Sequence, residues 1–152
     1  MWREYLEEIR EYRKRRNLQF NLGASEESIA RLRTALKERY HIDLPEEYAD
    51  VLREIDGMVF NGLYLYGVDK ELSEEEKQQK VDCLLDTNEV WWENEFQKAY
   101  LFLGQDDISW YVYEPETGKY LVLDLPSGDV VDEFDHLGDL LDQEMEYKRP
   151  SA

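Results

Sequence analysis

Few residues of this 152-residue chain could bind a transition metal: two histidines, His41 and His136, and one cysteine, Cys83. A structural zinc site normally holds four such ligands, and pairs of them lie only two to four residues apart in the chain. None of these three residues lies that close to another. We therefore predict that the protein holds no metal and no cofactor.

His136 has acidic neighbours, Asp132, Glu133 and Asp135, which superficially resemble carboxylates that orient a catalytic base. Nucleophilic catalysis also needs a serine or cysteine within reach of that base, and no such motif is nearby. Acids at the start of a helix stabilise its N-terminal dipole instead. We interpret the cluster as the beginning of a C-terminal helix.

Two turn regions contain residue types that bind phosphate or calcium in other proteins. The loop 115–119 has a Gly-Lys pair, but it lacks the upstream glycine and the following serine or threonine of a phosphate-binding loop. Four aspartates, Asp106, Asp107, Asp124 and Asp129, lack the glycine and the terminal glutamate of a helix-loop-helix calcium site. We interpret both sets as turn residues and predict that the protein is not an enzyme.

The charge of the chain is strongly negative and uneven. It has 36 acids and 18 bases, for a net charge of -18; residues 1–40 carry 10 bases and 7 acids, whereas residues 41–152 carry 8 bases and 29 acids. A field of this sign repels nucleic acids and anionic membranes. We therefore predict a basic protein as the partner, although the same charge would also favour solubility alone.

Length and composition predict one folded, soluble domain. Hydrophobic residues make up 42% of the chain and aromatic residues 13%, which is too much apolar surface for a disordered acidic chain. A single cysteine cannot form an internal disulfide, which favours a reducing compartment, the cytoplasm. The sequence has no signal-peptide pattern, internal repeat or interdomain linker.

Apolar residues at helical spacing predict three N-terminal helices and one C-terminal helix. The first begins near Trp2 and ends in the basic run 13–16; the second begins after Ser25, an N-cap, and reaches about Tyr40; the third begins at Pro45 and ends near Gly57; the last contains Phe134, Leu137, Leu140 and Leu141.

Between these helices, short β-prone runs alternate with turn residues. Asn61-Gly62 separates two such runs and predicts a β-hairpin, because a type I′ turn needs positive φ at both central residues. Residues 99–131 predict an antiparallel meander. Residues 70–94 form an insertion, which we predict to be partly mobile and to contain a helix that starts with a capping box at Ser73 and Glu76. Residues 148–152 predict a flexible tail.

Three stretches in this order resemble the SUKH superfamily, which includes the fungal cell-wall-assembly regulators and many bacterial proteins. They are Gly23-Ala24-Ser25 with Ile29 and Leu32; Leu44-Pro45-Glu46-Glu47-Tyr48 with Leu52, Asp56 and Gly57; and Leu101 to Gly104 with Trp110. The resemblance covers roughly residues 18–145 and implies a single α+β domain, in which helices pack around an antiparallel sheet. It departs from the common pattern at Met58, where a second glycine is usual, and in the long insertion.

The resemblance implies a protein without catalytic residues. Many bacterial members are immunity proteins that bind and neutralise a toxin domain, often a nuclease, whereas the fungal members suggest a regulatory scaffold with no toxin partner. The residues expected to contact a basic partner are the meander acids Asp106, Asp107, Glu114 and Glu116, with Trp110 or Trp91 as an aromatic anchor. Trp91 is included because Trp91 and Trp92 are adjacent, so a helix cannot point both side chains at the core.

Overall fold

The computed structural model describes residues 1–150, in which five α-helices surround one six-stranded sheet. The helices are α1 (Trp2–Arg15), α2 (Glu26–Tyr40), α3 (Glu46–Glu54), α4 (Leu84–Trp91) and α5 (Leu137–Tyr147), and a 3₁₀ helix (Glu95–Ala99) follows α4. The strands are β1 (Met58–Phe60), β2 (Leu63–Leu65), β3 (Leu101–Gln105), β4 (Ser109–Glu114), β5 (Lys119–Asp124) and β6 (Val130–Phe134). None of the helices in the described range is both long and apolar enough to cross a membrane.

The strands pair with their sequence neighbours throughout, in the order β1-β2-β3-β4-β5-β6, and every pairing is antiparallel. The predicted α+β fold with an antiparallel meander is thereby confirmed. The hairpin at Asn61-Gly62 forms as expected, with φ of 49° and 80° at its two central residues. Positive φ at both positions matches the right-handed twist of the flanking strands.

The three N-terminal helices form close to their predicted bounds. Ser25 caps α2, because its hydroxyl accepts a hydrogen bond from the Ser28 N–H at 3.1 Å. Pro45, expected as the first residue of the third helix, is instead the N-cap of α3, which begins one residue later at Glu46. In α1 the predicted apolar face is buried at Trp2, Leu6 and Ile9.

Both faces of the sheet are covered at its centre. Four consecutive residues are buried in β4, residues 109–112, and four in β5, residues 120–123. Since successive strand residues point to opposite faces, such runs occur only where each face packs on another layer. Helix α4 packs on β3, while α5 packs on β5 and β6 and also contacts α1 and α3.

Two predicted helix positions are wrong. Phe134 ends β6 and does not belong to α5, which begins at Leu137. No helix starts at Ser73; its hydroxyl closes a local turn by accepting from Glu75 N–H and lying 3.1 Å from a Glu75 carboxylate oxygen. A serine that bonds locally in this way competes with helix formation. The helix expected in this insertion begins only at Leu84.

The insertion, predicted to be partly mobile, is attached to the domain by side-chain hydrogen bonds. The carboxylate of Glu75 accepts from the hydroxyl of Ser28 at 2.8 Å and from the backbone N–H of Ser25, at the start of α2. Asn21 and Gln79 bond reciprocally, since Asn21 donates to the Gln79 carbonyl at 3.0 Å and accepts from its N–H at 2.7 Å. These contacts attach the segment at two separate points.

The predicted flexible tail lies partly outside the described residues. Within them, Arg149 donates to Glu8 at 2.7 Å, and the Lys148 carbonyl accepts from the Asn61 side chain at 3.2 Å. This first part of the tail therefore contacts both α1 and the β1–β2 turn.

Candidate protein-binding surface

The sheet brings two of its acidic turns together and places the third at the opposite end. The N–H of Leu125 donates to the carbonyl of Ile108 at 2.9 Å, so the β3–β4 turn and the β5–β6 turn are neighbours. We call residues 106–108 and 124–130 the acidic end of the sheet. Glu114 and Glu116 lie at the other end of β4, about 20 Å away for a six-residue strand. The four predicted contact acids therefore form two separate groups.

Asp106 is buried and its carboxylate already has two internal partners. One oxygen accepts from the Tyr111 hydroxyl at 2.5 Å, and the other accepts from the Ile108 N–H at 2.9 Å. Burial, together with the bond to Asp106, raises the pKa of Tyr111 well above its usual value. The prediction of Asp106 as a surface contact is corrected: this carboxylate shapes the β3–β4 turn.

Asp107, by contrast, is exposed at the tip of the same turn. It lies beside Gly62 of the β1–β2 turn and forms no salt bridge with a base in residues 1–150. The next residue, Ile108, exposes 71% of its surface. An acid and an apolar side chain are thus presented together, a combination that suits a protein partner.

Trp91 and Trp110 form an aromatic cluster with Phe102 where α4 packs on the sheet. Trp110 is buried and meets Trp91 edge-on, with ring centroids 5.4 Å apart, and it meets Phe102 at 5.6 Å. The prediction of Trp110 as an exposed anchor is therefore corrected to a core role. Trp91 is half-buried, while Trp92 is buried and donates to the Tyr100 carbonyl at 2.8 Å. Trp91 keeps only part of its surface available to a partner.

The β4–β5 turn holds the remaining predicted acids. Glu116 is exposed, whereas Glu114 is half-buried and accepts a hydrogen bond from the Thr117 hydroxyl at 2.7 Å. Lys119 lies in the same region and pairs with Asp135 at 2.6 Å. A role of Glu114, Glu116 or Asp107 in binding stays a prediction.

The acidity of this half of the molecule is mostly uncompensated. Residues 81–150 contain 18 acids and 4 bases. Within the described chain, four of these acids form salt bridges with a lysine or arginine: Glu95, Glu133, Asp135 and Glu146. Carboxylates without a nearby base keep their full field at the surface, which favours a cationic partner.

Two exposed valines of β6 lie at, or directly after, the acidic end of the sheet, and they were not predicted as contact residues. Val130 and Val131 expose 54% and 60% of their surface. Acids within a short strand, here Asp132 and Glu133, are typical of an exposed edge strand, but the sequence alone does not show which strand lies at the edge of the sheet.

Three carboxylates approach one another near the start of α4: Asp69, Glu71 and Asp86, with oxygens within 4.8 Å. Both oxygens of Asp69 are already engaged, since they accept from the N–H groups of Leu85 and Asp86 at 2.8 and 2.9 Å. A buried carboxylate in this position caps the helix. The cluster is explained by this structural role.

Comparison with known proteins agrees with this architecture. A search of curated proteins finds no match. Among solved structures, the crystal structure of a protein from Pseudomonas syringae pv. tomato is similar, with a TM-score of 0.52 and 18% sequence identity over 77% of this chain and 79% of that chain. That likeness concerns the fold alone. The model of the SMI1 / KNR4 family (SUKH-1) matches residues 23–143, which is most of the sequence. The chain therefore belongs to the SMI1 / KNR4 family (SUKH-1).

Proposed function

We propose that this protein binds another protein without catalysing a reaction, and that it is an immunity protein that neutralises a basic toxin domain. The observation that carries the proposal is the imbalance of 18 acids to 4 bases in residues 81–150. A toxin that handles nucleic acid presents basic residues to phosphates, and an acidic inhibitor occupies the same residues. Membership in the SUKH-1 family supports this class of function.

The acidic end of the sheet presents exposed apolar side chains beside its acids. Exposed Asp107 and Asp129 stand beside Ile108 and Val130, whose apolar surface is accessible. Charged groups accelerate encounter and select the partner, while buried apolar contacts slow dissociation. A surface with both kinds of residue fits a partner that is bound tightly and found quickly.

The test is co-expression with the C-terminal domain of the protein encoded by the adjacent gene. We expect the full chain to restore cell survival and to co-purify with that domain at low salt but less well at high salt. The triple variant Asp107→Asn, Glu114→Gln, Glu116→Gln is expected to weaken binding and flatten its salt dependence. No rescue and no complex with the unaltered chain would refute the immunity role.

The matched control changes acids outside this region. Glu27 and Glu38 of α2 are exposed and form no salt bridge within the described residues. The double variant Glu27→Gln, Glu38→Gln is expected to keep nearly all of the affinity. Equal losses in both variants would mean that only the net charge of the protein matters.

A regulatory scaffold is the second candidate, and a specific observation favours it. The basic end of α1 exposes Lys14, Arg15 and Arg16, and the following segment exposes Leu18 and Leu22 at 48% and 75%. Two surfaces of opposite charge would let one domain join two different proteins. This function predicts several weak partners and no protection against a toxin.

A further inference from the structure

The two edges of the sheet differ in whether their backbone is already occupied. At the β1 edge, the side-chain amide of Gln79 donates to the Val59 carbonyl at 2.8 Å and accepts from the Val59 N–H at 3.3 Å. At the β6 edge, residues 130–134 make no backbone hydrogen bond beyond their pairing with β5, as far as the described chain extends. The register with β5 shifts between Val122 and Leu123, so Val131 is an extra residue in a bulge. The backbone groups that face away from β5 are still unpaired, and an edge strand of this kind is a template for another strand.

The side chains along β6 define the chemistry of such a strand. Val130 and Val131 are exposed, and acids flank them at Asp129, Asp132 and Glu133. Glu133 lies 3.8 Å from Lys119, whereas Asp132 contacts the neutral amide of Gln143 at 3.0 Å. The edge therefore presents two apolar side chains within a row of mostly unneutralised negative charge.

The negative charge of the β6 edge determines which kind of strand can pair with it. A second copy of the chain that paired antiparallel about Asp132 or Glu133 would place that acid opposite itself, and like charges directly opposite one another destabilise strand pairing. Asp132 and Glu133 point to opposite faces of the sheet, so a strand with lysine or arginine at alternate positions would meet opposite charge on one face and present its apolar residues on the other. Repulsion against the wrong partner and attraction to the right one act together here.

We propose that the β6 edge binds an extended, basic segment of a protein partner, which adds to the sheet as a seventh strand. The proposal rests on the proposed function, because it assigns the binding of a basic partner to one surface. Main-chain hydrogen bonds along residues 130–134 hold the added strand, and Asp129, Asp132 and Glu133 select its charge. Because the added strand lies beside β6, the packing of the core does not change.

A synthetic peptide probes this edge directly. The full chain, labelled with ¹⁵N, is titrated with an eight-residue peptide of alternating lysine and valine, and amide hydrogen exchange is followed by NMR. Strand addition is expected to slow exchange by at least about tenfold at those amides of residues 130–134 whose N–H groups point away from β5, because these groups acquire acceptors. A peptide of alternating glutamate and valine is expected to give no protection. Absence of binding by the lysine peptide, or binding that leaves these amides unprotected, overturns the proposal.

A pair of charge variants gives a second, independent measurement. The variant Asp129→Lys, Asp132→Lys is expected to weaken lysine-peptide binding by at least about tenfold, while the matched variant Glu27→Lys, Glu38→Lys changes it by less than about threefold. Equal effects of the two variants overturn the proposal, since they show that only net charge is sensed. The glutamate peptide keeps the test valid if the β6 variant folds poorly, because that comparison uses the unaltered protein.

The same variants separate this inference from the function it rests on. If the unaltered chain neutralises the toxin domain and Asp129→Lys, Asp132→Lys abolishes that protection, the β6 edge is supported as the docking site. If the folded β6 variant protects fully, the β6 proposal is overturned and the immunity function stands. Failure of the unaltered chain to protect refutes the immunity function, and the peptide measurement still decides whether β6 accepts a basic strand.

Discussion

The side-chain amide of Gln79 pairs with both backbone groups of Val59, donating to its carbonyl at 2.8 Å and accepting from its N–H at 3.3 Å. A side chain from the insertion thereby takes the place that a further strand would occupy beside β1. An occupied edge cannot pair with another chain, so this contact protects one side of the sheet against association. The other side, at β6, has no such cover within the described residues.

Removing this contact is expected to cost stability. Gln79→Ala deletes two hydrogen bonds and leaves the backbone of Val59 unpaired, so we expect a loss of about 1–2 kcal/mol in the free energy of unfolding. Urea unfolding measures it, and analytical ultracentrifugation is expected to show more self-association. The control is Gln78→Ala, because Gln78 is the exposed neighbour. Equal stability of the two variants would contradict a role for Gln79 at the edge.

We expect the carboxylate of Glu75 to make a pH-dependent contribution to the stability of the protein. Burial alone would raise its pKa, but hydrogen bonds from Ser28 and Ser25 outweigh burial and lower it to about 2. Because the folded pKa lies below the unfolded one, the stabilisation is present above the ordinary pKa of a glutamate and is lost as the pH falls towards about 2.

The variant that tests this is Glu75→Gln, compared with Glu76→Gln at the exposed neighbouring position. We expect Glu75→Gln to lower the free energy of unfolding by about 1–2 kcal/mol at pH 7, and by about half as much at pH 3. Urea titrations at the two pH values measure the difference. A deficit that does not change with pH would show that the carboxylate charge is not what holds the insertion.

Asp106 and Asp107 are adjacent, but we expect their replacement to change the stability of the protein by very different amounts. Asp106→Ala removes the acceptor of the Tyr111 hydroxyl and of the Ile108 N–H, so we expect a loss of about 2 kcal/mol in stability. Asp107→Ala is expected to change stability by less than about 0.5 kcal/mol, because its side chain is exposed. Thermal unfolding separates the two, and a large loss with Asp107→Ala would contradict the assignment.

Although Trp91 is only half-buried, we expect its ring to contribute substantially to the stability of the protein. Its ring contacts Trp110 and Phe102, with centroids 5.4 and 6.1 Å away. Trp91→Ala would uncover both rings, so we expect a loss of about 2–3 kcal/mol in the free energy of unfolding. Val90→Ala is the control, since Val90 is 57% exposed on the same helix and is expected to cost less than about 0.5 kcal/mol. Similar small losses in both variants would mean that Trp91 does not stabilise the core, and its ring would then be available for contact with a partner.

The predicted elements that formed as expected are those with a strong local cause. Asn61-Gly62 specifies its turn through backbone conformation, and Ser25 specifies the start of α2 through one hydrogen bond to Ser28. Both signals act over two or three residues, so the rest of the fold need not be known. The helix predicted to start at Ser73 did not form, because the Ser73 hydroxyl accepts a hydrogen bond from the Glu75 N–H and closes a turn instead. A local signal of this kind therefore does not always specify a helix.

The candidate surface could not be located in the same way. Asp106 and Asp107 have the same side chain at adjacent positions, yet one is buried against Tyr111 and the other is exposed. Trp110 likewise is a core residue because Phe102 of β3 and Trp91 of α4 pack against it. These outcomes depend on contacts between residues far apart in the chain, which spacing alone does not report.

The sequence by itself determined the helices with clear caps, the hairpin, the antiparallel meander and the acidic character of the second half, because propensity, turn geometry and charge are local or additive properties. Only the tertiary structure decided which acids reach solvent, that the two acidic turns near Ile108 and Leu125 meet, and that Gln79 occupies one sheet edge while β6 stays open. The physical reason is that exposure and edge position are set by long-range packing, in which each layer determines what the next one leaves uncovered.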